Sequence, residues 1–278
     1  MSETPETIPF VKSIFHPSDF SKASELAFVH ALAVALIRNT ELVIMHAGRG
    51  HLDDWSQFPP VRKTLESWNV LAPESSRSAV FEKLSVRVAK VSARGNPVQA
   101  SIDHIEKQKP DLVVLATRGR HGLPRWLKPS VAQAIARRTS AMTLFVPRGC
   151  RGIVSIDGVI HLGRILLPVD HQPDVQEAVI RAVRAAEAFG DDAVEIVILH
   201  VNGRALPQFH RPESRACMWK EVRREGDIVA TILDAAQEAD LIVMATEGRH
   251  GVFDALRGSV TERVVRGAPC PVLAVPAR

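Results

Sequence analysis

The sequence has few cysteines, no long apolar run and no strong excess of charge of either sign. Its three cysteines, Cys150, Cys217 and Cys270, are scattered through 278 residues, which argues against a disulfide framework and against a zinc site of paired cysteines. No apolar run approaches the roughly 20 residues that a membrane-spanning helix needs. The first nine residues lack the order of a secretory signal. We therefore expect a cytoplasmic protein without a membrane segment.

The charge balance bears on the kind of partner. The formal net charge is +4, spread over the whole chain, which favours anionic small ligands but is a weak basis for nucleic-acid binding. His46 and His200 end apolar runs at matching places, and no second histidine or cysteine stands near either at helical spacing. We interpret both as structural residues and predict no metal site, because metal binding needs several converging ligands.

A segment of seven residues occurs twice in nearly the same letters. Ala116-Thr-Arg-Gly-Arg-His-Gly122 recurs as Ala245-Thr-Glu-Gly-Arg-His-Gly251. Each copy follows an apolar run that begins with aspartate, and each is followed by a helical stretch and a further apolar run ending in proline. A glycine-rich turn after a buried strand is where α/β folds bind phosphate groups. The repeat predicts two similar units, each with a candidate anion-binding turn.

Apolar strands alternate with helical segments throughout both units. The first strands run into Asp19 and Asp170, and alanine-rich segments with helical spacing follow over residues 24–38 and 175–189. Strands that are apolar throughout and alternate with helices indicate a parallel sheet covered on both faces. We predict an α/β protein of two tandem open five-stranded parallel sheets, each with helices on both faces.

The units differ between their second and third strands. The interval from His46 to Gly95 is almost twice the matching interval from His200 to Gly226. The first unit uses this length for a charged, helix-compatible segment at 61–83, whereas the second has a short run rich in proline and glycine. We therefore expect the second unit to lack most of its second crossover helix.

The segment between the units alternates in polarity around Asp157-Gly158. An Asp-Gly pair flanked by alternating apolar residues is the strongest short-range signal for a β-hairpin. The predicted organisation is a flexible N-terminal tail at 1–9, a first domain at 10–147, a linker with a β-hairpin at 148–163 and a second domain at 164–278.

The glycine turns have a functional and a structural interpretation. Amides at the start of the following helix favour negative charge, and Pro129 lacks the amide that Gly258 supplies at the matching place. The first unit should therefore hold a phosphate less well. Alternatively the turn is only structural, with Ser259 as helix N-cap and Glu262 completing a capping box. The spacing fits neither a dinucleotide fingerprint nor a Walker loop.

The combined motifs resemble the universal stress protein family, in its tandem-domain form. The resemblance rests on strand–Pro-x-Asp, strand–Leu/Met-His, strand–Gly-x-x-Gly and the run Gly-Ser-Val-Thr-Glu-Arg-Val before Pro-Cys-Pro-Val-Leu-Ala-Val. It covers nearly all of the chain beyond the N-terminal tail. It implies the adenine nucleotide alpha-hydrolase-like fold in each unit and, as one branch of the family does, binding of ATP or a related adenine nucleotide. The motif of that branch continues after its second glycine to a third position, which Pro129 and Gly258 occupy here. Both units have fewer residues between the second glycine and this third position than that branch has, which predicts a narrower phosphate pocket.

The resemblance also implies a set of site residues, chiefly in the second unit. The nucleotide-binding positions there are Val169, Asp170, Val201, Gly248, Gly251, Gly258, Ser259, Val260 and Thr261. A weaker second site has the matching positions in the first unit, Ser18, Asp19, Ala47, Gly119, Gly122, Ser130 and Val131. For the two aspartates, a turn or N-cap role is the alternative to ligand contact.

Three functions compete. The favoured one is a non-catalytic stress-response protein that binds an adenine nucleotide, chiefly in the second domain, and the second is a ligand-free scaffold or interaction protein of the same fold. An ATP hydrolase is the third, with no paired carboxylates near the glycine turn to support it. Because single-domain members of the family dimerise through their fifth strands, the resemblance implies that residues 143–146 and 272–275 meet as an intramolecular pseudo-dimer. A homodimer of chains stays open.

Overall fold

The structure, a computed structural model, describes residues 11–48, 55–117, 141–203, 205–247 and 259–277, together with Ala132, Ile135 and Thr139. The predicted N-terminal tail lies outside these residues. Within them no helix has both the length and the apolar character that crossing a bilayer requires.

The first half of the chain alternates strands with helices, and Ala132 and Ile135 are helical as well. Its strands are β1 (Ser13–Pro17), β2 (Glu41–Gly48), β3 (Arg87–Arg94), β4 (Leu112–Thr117) and β5 (Met142–Pro147). Its named helices are α1 (Lys22–Arg38), α2 (Val61–Ser67), α3 (Ala79–Leu84) and α4 (Pro97–Gln108), with a 3₁₀ turn at Trp55–Gln57.

The second half repeats this order. Its strands are β6 (Arg164–Pro168), β7 (Val194–Val201), β8 (Cys217–Arg224), β9 (Leu241–Thr246) and β10 (Val272–Pro276). Its helices are α5 (Gln176–Phe189), α6 (Ile228–Ala235), which runs into a 3₁₀ turn at Ala236–Glu238, and α7 (Val260–Gly267). The described residues between β7 and β8 contain no helix, so the predicted loss of the second crossover helix is confirmed.

All ten strands belong to one sheet, in the order β3-β2-β1-β4-β5-β10-β9-β6-β7-β8. Within each half the neighbouring strands are parallel, which confirms the predicted five-stranded parallel units. The halves join where β5 and β10 pair antiparallel, with Leu273 opposite Leu144. The sheet is therefore continuous across the middle of the chain.

Alternate residues of each strand point to opposite faces of the sheet, as the pleat requires. Ile14 and Ile165 belong to one buried cluster, which also contains residues of α1 and α5. Phe15 and Leu166 belong to the other, together with residues of α4, α6 and α7. Each half thus buries both faces of its inner strands, which is why these strands read as continuous apolar runs.

The predicted hairpin in the linker is only partly formed. A single antiparallel bridge joins Val154 to Ile160 around the Asp157-Gly158 turn, and the linker contains no named strand. The reason is that first-half side chains bond its backbone. The Nε2 of His30 accepts from the amides of Ile153 and Val154 at 3.0 and 3.3 Å. These amides are directed to the histidine and not to a partner strand.

The aspartates that open β4 and β9 have matching structural roles at the amino edge of the sheet. Asp111 accepts from the amides of Lys12 and Ser13 at 2.8 and 3.1 Å. Asp240 accepts from the amides of Gly163 and Arg164, each at 2.9 Å. Each carboxylate therefore secures the start of the central strand beside it, at the edge opposite the glycine turns.

Candidate functional site

A cavity of about 380 Å³ opens at the carboxyl ends of β6, β7 and β9, against α6 and α7. This is the edge of a parallel sheet at which α/β folds bind their ligands. Six predicted site residues line it: Val169, Asp170, Val201, Ser259, Val260 and Thr261. The other three predicted positions, Gly248, Gly251 and Gly258, lie outside the described residues.

The end of β6 is held in place by backbone bonds and one histidine. The amide of Val169 donates to the carbonyl of Leu199 at 2.9 Å, and Nδ1 of His200 donates to the carbonyl of Val169 at 2.9 Å. Because a carbonyl can only accept, Nδ1 carries a proton. His200 is buried and fixes the turn that presents Asp170, which confirms its predicted structural role.

The opposite side of the His200 ring is packed against backbone. A Cβ added to Gly203 would stand only 1.5 Å from Nε2 of His200, so no other residue fits there without a shift. Nε2 has no hydrogen-bond partner in the described part of the chain. The glycine at 203 is therefore required by close approach to the histidine.

Asp170 is exposed at the mouth of the cavity. Its Oδ1 accepts from the amide of His171 at 2.7 Å, whereas Oδ1 of Asp19, at the matching place, accepts from the amide of Ser21 at 3.0 Å. Both aspartates thus stabilise their own turns, as the structural alternative predicted. Neither caps a helix, because the N-cap residues of α1 and α5 are Ser21 and Val175.

Helix α7 begins at the cavity. Ser259 is its N-cap, and the Oγ of Ser259 accepts from the amide of Glu262 at 3.1 Å. The carboxylate of Glu262 pairs with Arg266 at 2.8 Å. The first amides of a helix have no partner inside the helix and favour negative charge. The cap satisfies one of them, so the structural role of Ser259 and a role in binding an anion are compatible.

The deeper lining of the cavity is apolar and was not predicted. Leu199, Ile232, Met244 and Val265 line it and are buried. First-half residues contribute as well, at Thr139, Ala141, Thr143 and Phe145. The antiparallel pairing of β5 with β10 causes this, since it places the start of β5 beside the end of β10. The pattern of a single strand carries no signal for a neighbour from the other half.

The described lining residues that carry a charge are all acidic: Asp170, Glu247 and Glu262. Asp170 and Glu247 are exposed, whereas Glu262 is mostly buried and paired with Arg266. The described lining therefore contributes a negative electrostatic potential, which does not by itself attract a ligand with several phosphate groups.

Aromatic rings pack around His46 at the end of β2 in the first half. Phe20, at a φ of 60°, stacks on His46 with ring centroids 4.1 Å apart and meets Phe58 edge-on at 5.2 Å. Trp55 stacks on Phe58 at 5.4 Å. Nδ1 of His46 donates to the carbonyl of Ser18 at 2.8 Å, the counterpart of the His200 bond. Phe20 and Phe58 pack with the buried cluster that contains α1, whereas the deeper apolar lining of the second-half cavity belongs to the cluster on the other face of the sheet.

The weaker predicted site is therefore only partly described. Ser18 is buried, Asp19 is exposed and Ala47 is half-buried. The remaining predicted positions, Gly119, Gly122, Ser130 and Val131, lie outside the described residues.

The cysteines are not activated nucleophiles. Burial raises the pKa of Cys150 to about 11 and that of Cys270 to about 12, so both stay protonated thiols at neutral pH. Among the described residues no group of three or more His, Cys, Asp and Glu side chains is placed to hold a metal ion.

Comparison with known proteins agrees with the fold. The model of the universal stress protein family matches residues 11–147 and 208–276. A universal stress protein of Mycobacterium tuberculosis is 25% identical over 298 residues, covering 92% of this chain and 94% of that protein. One from Synechocystis is 32% identical over 145 residues, which is 44% of this chain and 90% of that protein. The crystal structure of a universal stress protein from Archaeoglobus fulgidus superposes with a TM-score of 0.63 at 18% identity, covering 96% of this chain and 98% of that one.

Proposed function

The chain belongs to the universal stress protein family, and we propose that it is a non-catalytic stress-response protein whose second half binds an adenine nucleotide. The observation that carries the proposal is the cavity at the carboxyl edge of the second half. Six residues that the sequence motifs assign to nucleotide binding, from three separate stretches of the chain, line that one cavity. The cavity lies at the carboxyl ends of parallel strands, the edge at which open α/β sheets bind their ligands.

Each part of the proposed site has a physical role toward the ligand. The backbone of Val169 and the carboxylate of Asp170 face the base, where a carboxylate can accept from an exocyclic amine. Val201 packs beside the adenosine part. The first turn of α7, from Ser259 to Thr261, offers amides to the phosphate.

Binding is proposed for the second half in preference to the first. The second half has a cavity lined by six of its assigned positions, whereas Pro129 of the first half lacks the amide that Gly258 supplies at the matching place. This difference supports the second half as the binding half of the chain.

The proposed role does not include turnover. The cavity lining holds three carboxylates but no histidine, cysteine or lysine among its described members, so it offers no nucleophile–base pair of the usual kind. The paired fifth strands support an intramolecular pseudo-dimer of the two halves. A homodimer of chains and the cytoplasmic location stay predictions.

The test is calorimetric titration of ligand-stripped protein with AMP, ADP and ATP. We expect at least one of them to bind in the micromolar to millimolar range, with one site per chain. Asp170→Ala should weaken binding by about tenfold, the equivalent of one charged hydrogen bond. The matched control is Asp19→Ala, which changes the same residue in the same turn of the other half and should leave affinity unchanged.

Three results would overturn the proposal or part of it. If no adenine nucleotide binds at millimolar concentration, the scaffold interpretation replaces it. If Asp19→Ala weakens binding and Asp170→Ala does not, the site lies in the first half. Release of ADP from ATP at a rate that Asp170→Ala abolishes would instead favour the hydrolase.

A further inference from the structure

The cavity of the second half has two chemically different regions. Its mouth is polar, with the exposed side chains of Asp170, Gln172 and Glu247. Its interior is apolar and buried, with Ile232, Val265 and other side chains less than a tenth exposed. A ligand that fills both regions must itself have a polar and an apolar part, because burying a polar group without a partner is unfavourable.

The interior reaches from the second half onto the first. Ala274 of β10 stands opposite Thr143 of β5 in the antiparallel ladder, and both line the cavity. Phe145 of β5 and Ala141, directly before β5, line it as well. The apolar region is therefore a composite of both halves, and it lies beyond the residues that the nucleotide motifs assign.

The repeat places side chains of different size at one point of the fifth strands. Phe145 and Ala274 occupy the same position in the two copies of that strand. Ala274 lines the cavity with a small side chain, whereas the first half carries a phenyl ring at the equivalent point. A larger side chain at 274 would therefore extend into the apolar region.

We propose that the cavity holds an adenine nucleotide whose phosphate carries an apolar group, with that group seated on Thr143, Phe145 and Ala274. This assignment rests on the proposed function. Helix α7 connects the two regions, since Ser259 and Thr261 in its first turn and Val265 further along all line the cavity. A group attached to the phosphate runs along this face of α7 and reaches β10 and then β5.

Charge supports the same ligand. An ester on the phosphate removes one negative charge relative to the free nucleotide. The charged side chains in the described lining are the carboxylates Asp170, Glu247 and Glu262, so a singly charged phosphodiester is less repelled there than a polyphosphate. The cavity of about 380 Å³ falls at the lower end of the range for small-molecule sites, about 300–1,000 Å³, which suits a short apolar group.

The test compares two esters of one nucleotide by calorimetry. Adenosine 5′-methylphosphate and adenosine 5′-butylphosphate carry the same charge and differ only in chain length. We expect the butyl ester to bind at least about tenfold more tightly, because burial of three methylenes is favourable. Ala274→Phe, which copies the first half, should abolish this preference.

A second variant guards against misfolding. Ala141→Leu also enlarges a lining side chain, next to β5, but by less than Ala274→Phe does. It should likewise reduce the preference for the butyl ester. Equal affinities of the two esters for the wild-type protein would overturn the inference, while binding of AMP would keep the proposed function. Failure of AMP and both esters to bind would overturn both. Binding of butyl phosphate as tight as that of the butyl ester would also overturn the inference, because the adenosine would then be irrelevant.

Discussion

Single histidines hold several of the critical backbone segments of this protein. Nδ1 of His30 donates to the carbonyl of Leu26 at 2.7 Å, while its Nε2 accepts two amides of the linker. Nδ1 of His16 donates to the carbonyl of Val114 at 2.9 Å. Burial lowers the pKa of each of these two imidazoles to about 4. Both rings are therefore neutral in the folded protein near pH 7.

This neutrality makes stability depend on pH. In the unfolded chain a histidine has its ordinary pKa of about 6.5, so between about pH 6.5 and 4 the unfolded state binds more protons. Stability is then complete above pH 6.5 and falls as the pH falls toward 4. From pH 7 to pH 5 we expect each histidine to cost roughly 2 kcal/mol of unfolding free energy. Urea denaturation at pH 7 and at pH 5 measures the sum of the two histidine contributions to the unfolding free energy.

His30→Leu isolates the contribution of one ring. The variant should be less stable at pH 7, because two linker amides lose their acceptor, yet it should lose roughly 2 kcal/mol less than wild type between pH 7 and pH 5. His171→Leu, at an exposed position, is the control for removal of an imidazole at the surface. An unchanged pH dependence in His30→Leu would contradict the assignment.

Gly203 allows a test of the His200 support. In Gly203→Ala the new methyl would collide with Nε2 of His200 at 1.5 Å, whereas in Gly48→Ala it would lie 3.5 Å from Nε2 of His46, an ordinary contact. We expect Gly203→Ala to lower the unfolding free energy by about 1–3 kcal/mol, as overpacking does, and to weaken AMP binding by displacing Val169. Gly48→Ala should change stability by less than about 0.5 kcal/mol. Equal effects would show that the His200 contact is not tight.

Sequence reasoning found some of these residue roles and missed others. The structural role of His46 and His200 followed from their matching positions and from the lack of nearby metal ligands. His30 gave no signal, because its partners at 153 and 154 are more than a hundred residues away in sequence. Thr143 and Phe145 were missed because their place in the cavity depends on the register of β5 against β10.

At the scale of elements, caps and crossovers follow local rules. Asn96 caps α4 by accepting from the amides of Val98 and Gln99, and Ser259 caps α7 by accepting from Glu262. Such caps could be predicted because serine and asparagine compete locally for free amides. The linker hairpin could be predicted only in part, because tertiary bonds hold its backbone beside the short ladder. His30 accepts two of its amides, and Nε1 of Trp68 donates to the carbonyl of Ile156 at 2.8 Å.

The two caps form a matched pair for a binding test. Ser259→Ala and Asn96→Ala each remove one N-cap and should each lower the unfolding free energy by about 1 kcal/mol. AMP affinity should fall only in Ser259→Ala, since Ser259 lines the cavity and Asn96 lies in the other half. Urea denaturation and calorimetric titration measure the two quantities. A similar loss of affinity in Asn96→Ala would mean that the effect is one of general stability.

At the scale of the molecule, the two units are parts of one sheet. Five parallel strands in each half were predictable from the repeat, and the family resemblance implied that residues 143–146 and 272–275 meet. The register of Leu144 against Leu273 could not be predicted, because both fifth strands read as uniform apolar runs. That register decides which first-half side chains reach the cavity.

The joint between β5 and β10 should make the chain unfold as one unit. One buried cluster contains Leu144 and Leu273 together with residues of α1 and α5, and separating the halves would expose two apolar strand edges. We therefore expect a single calorimetric unfolding transition for the wild-type chain, and AMP should raise the midpoint of the whole transition.

Leu273→Arg places an unpaired charge in this buried joint. It should split the transition into two, and AMP should raise the midpoint of only one of them. Val159→Arg, at a position 65% exposed in the linker, should keep the single transition. Two transitions already present in wild type would show that the halves are thermodynamically independent despite their shared sheet.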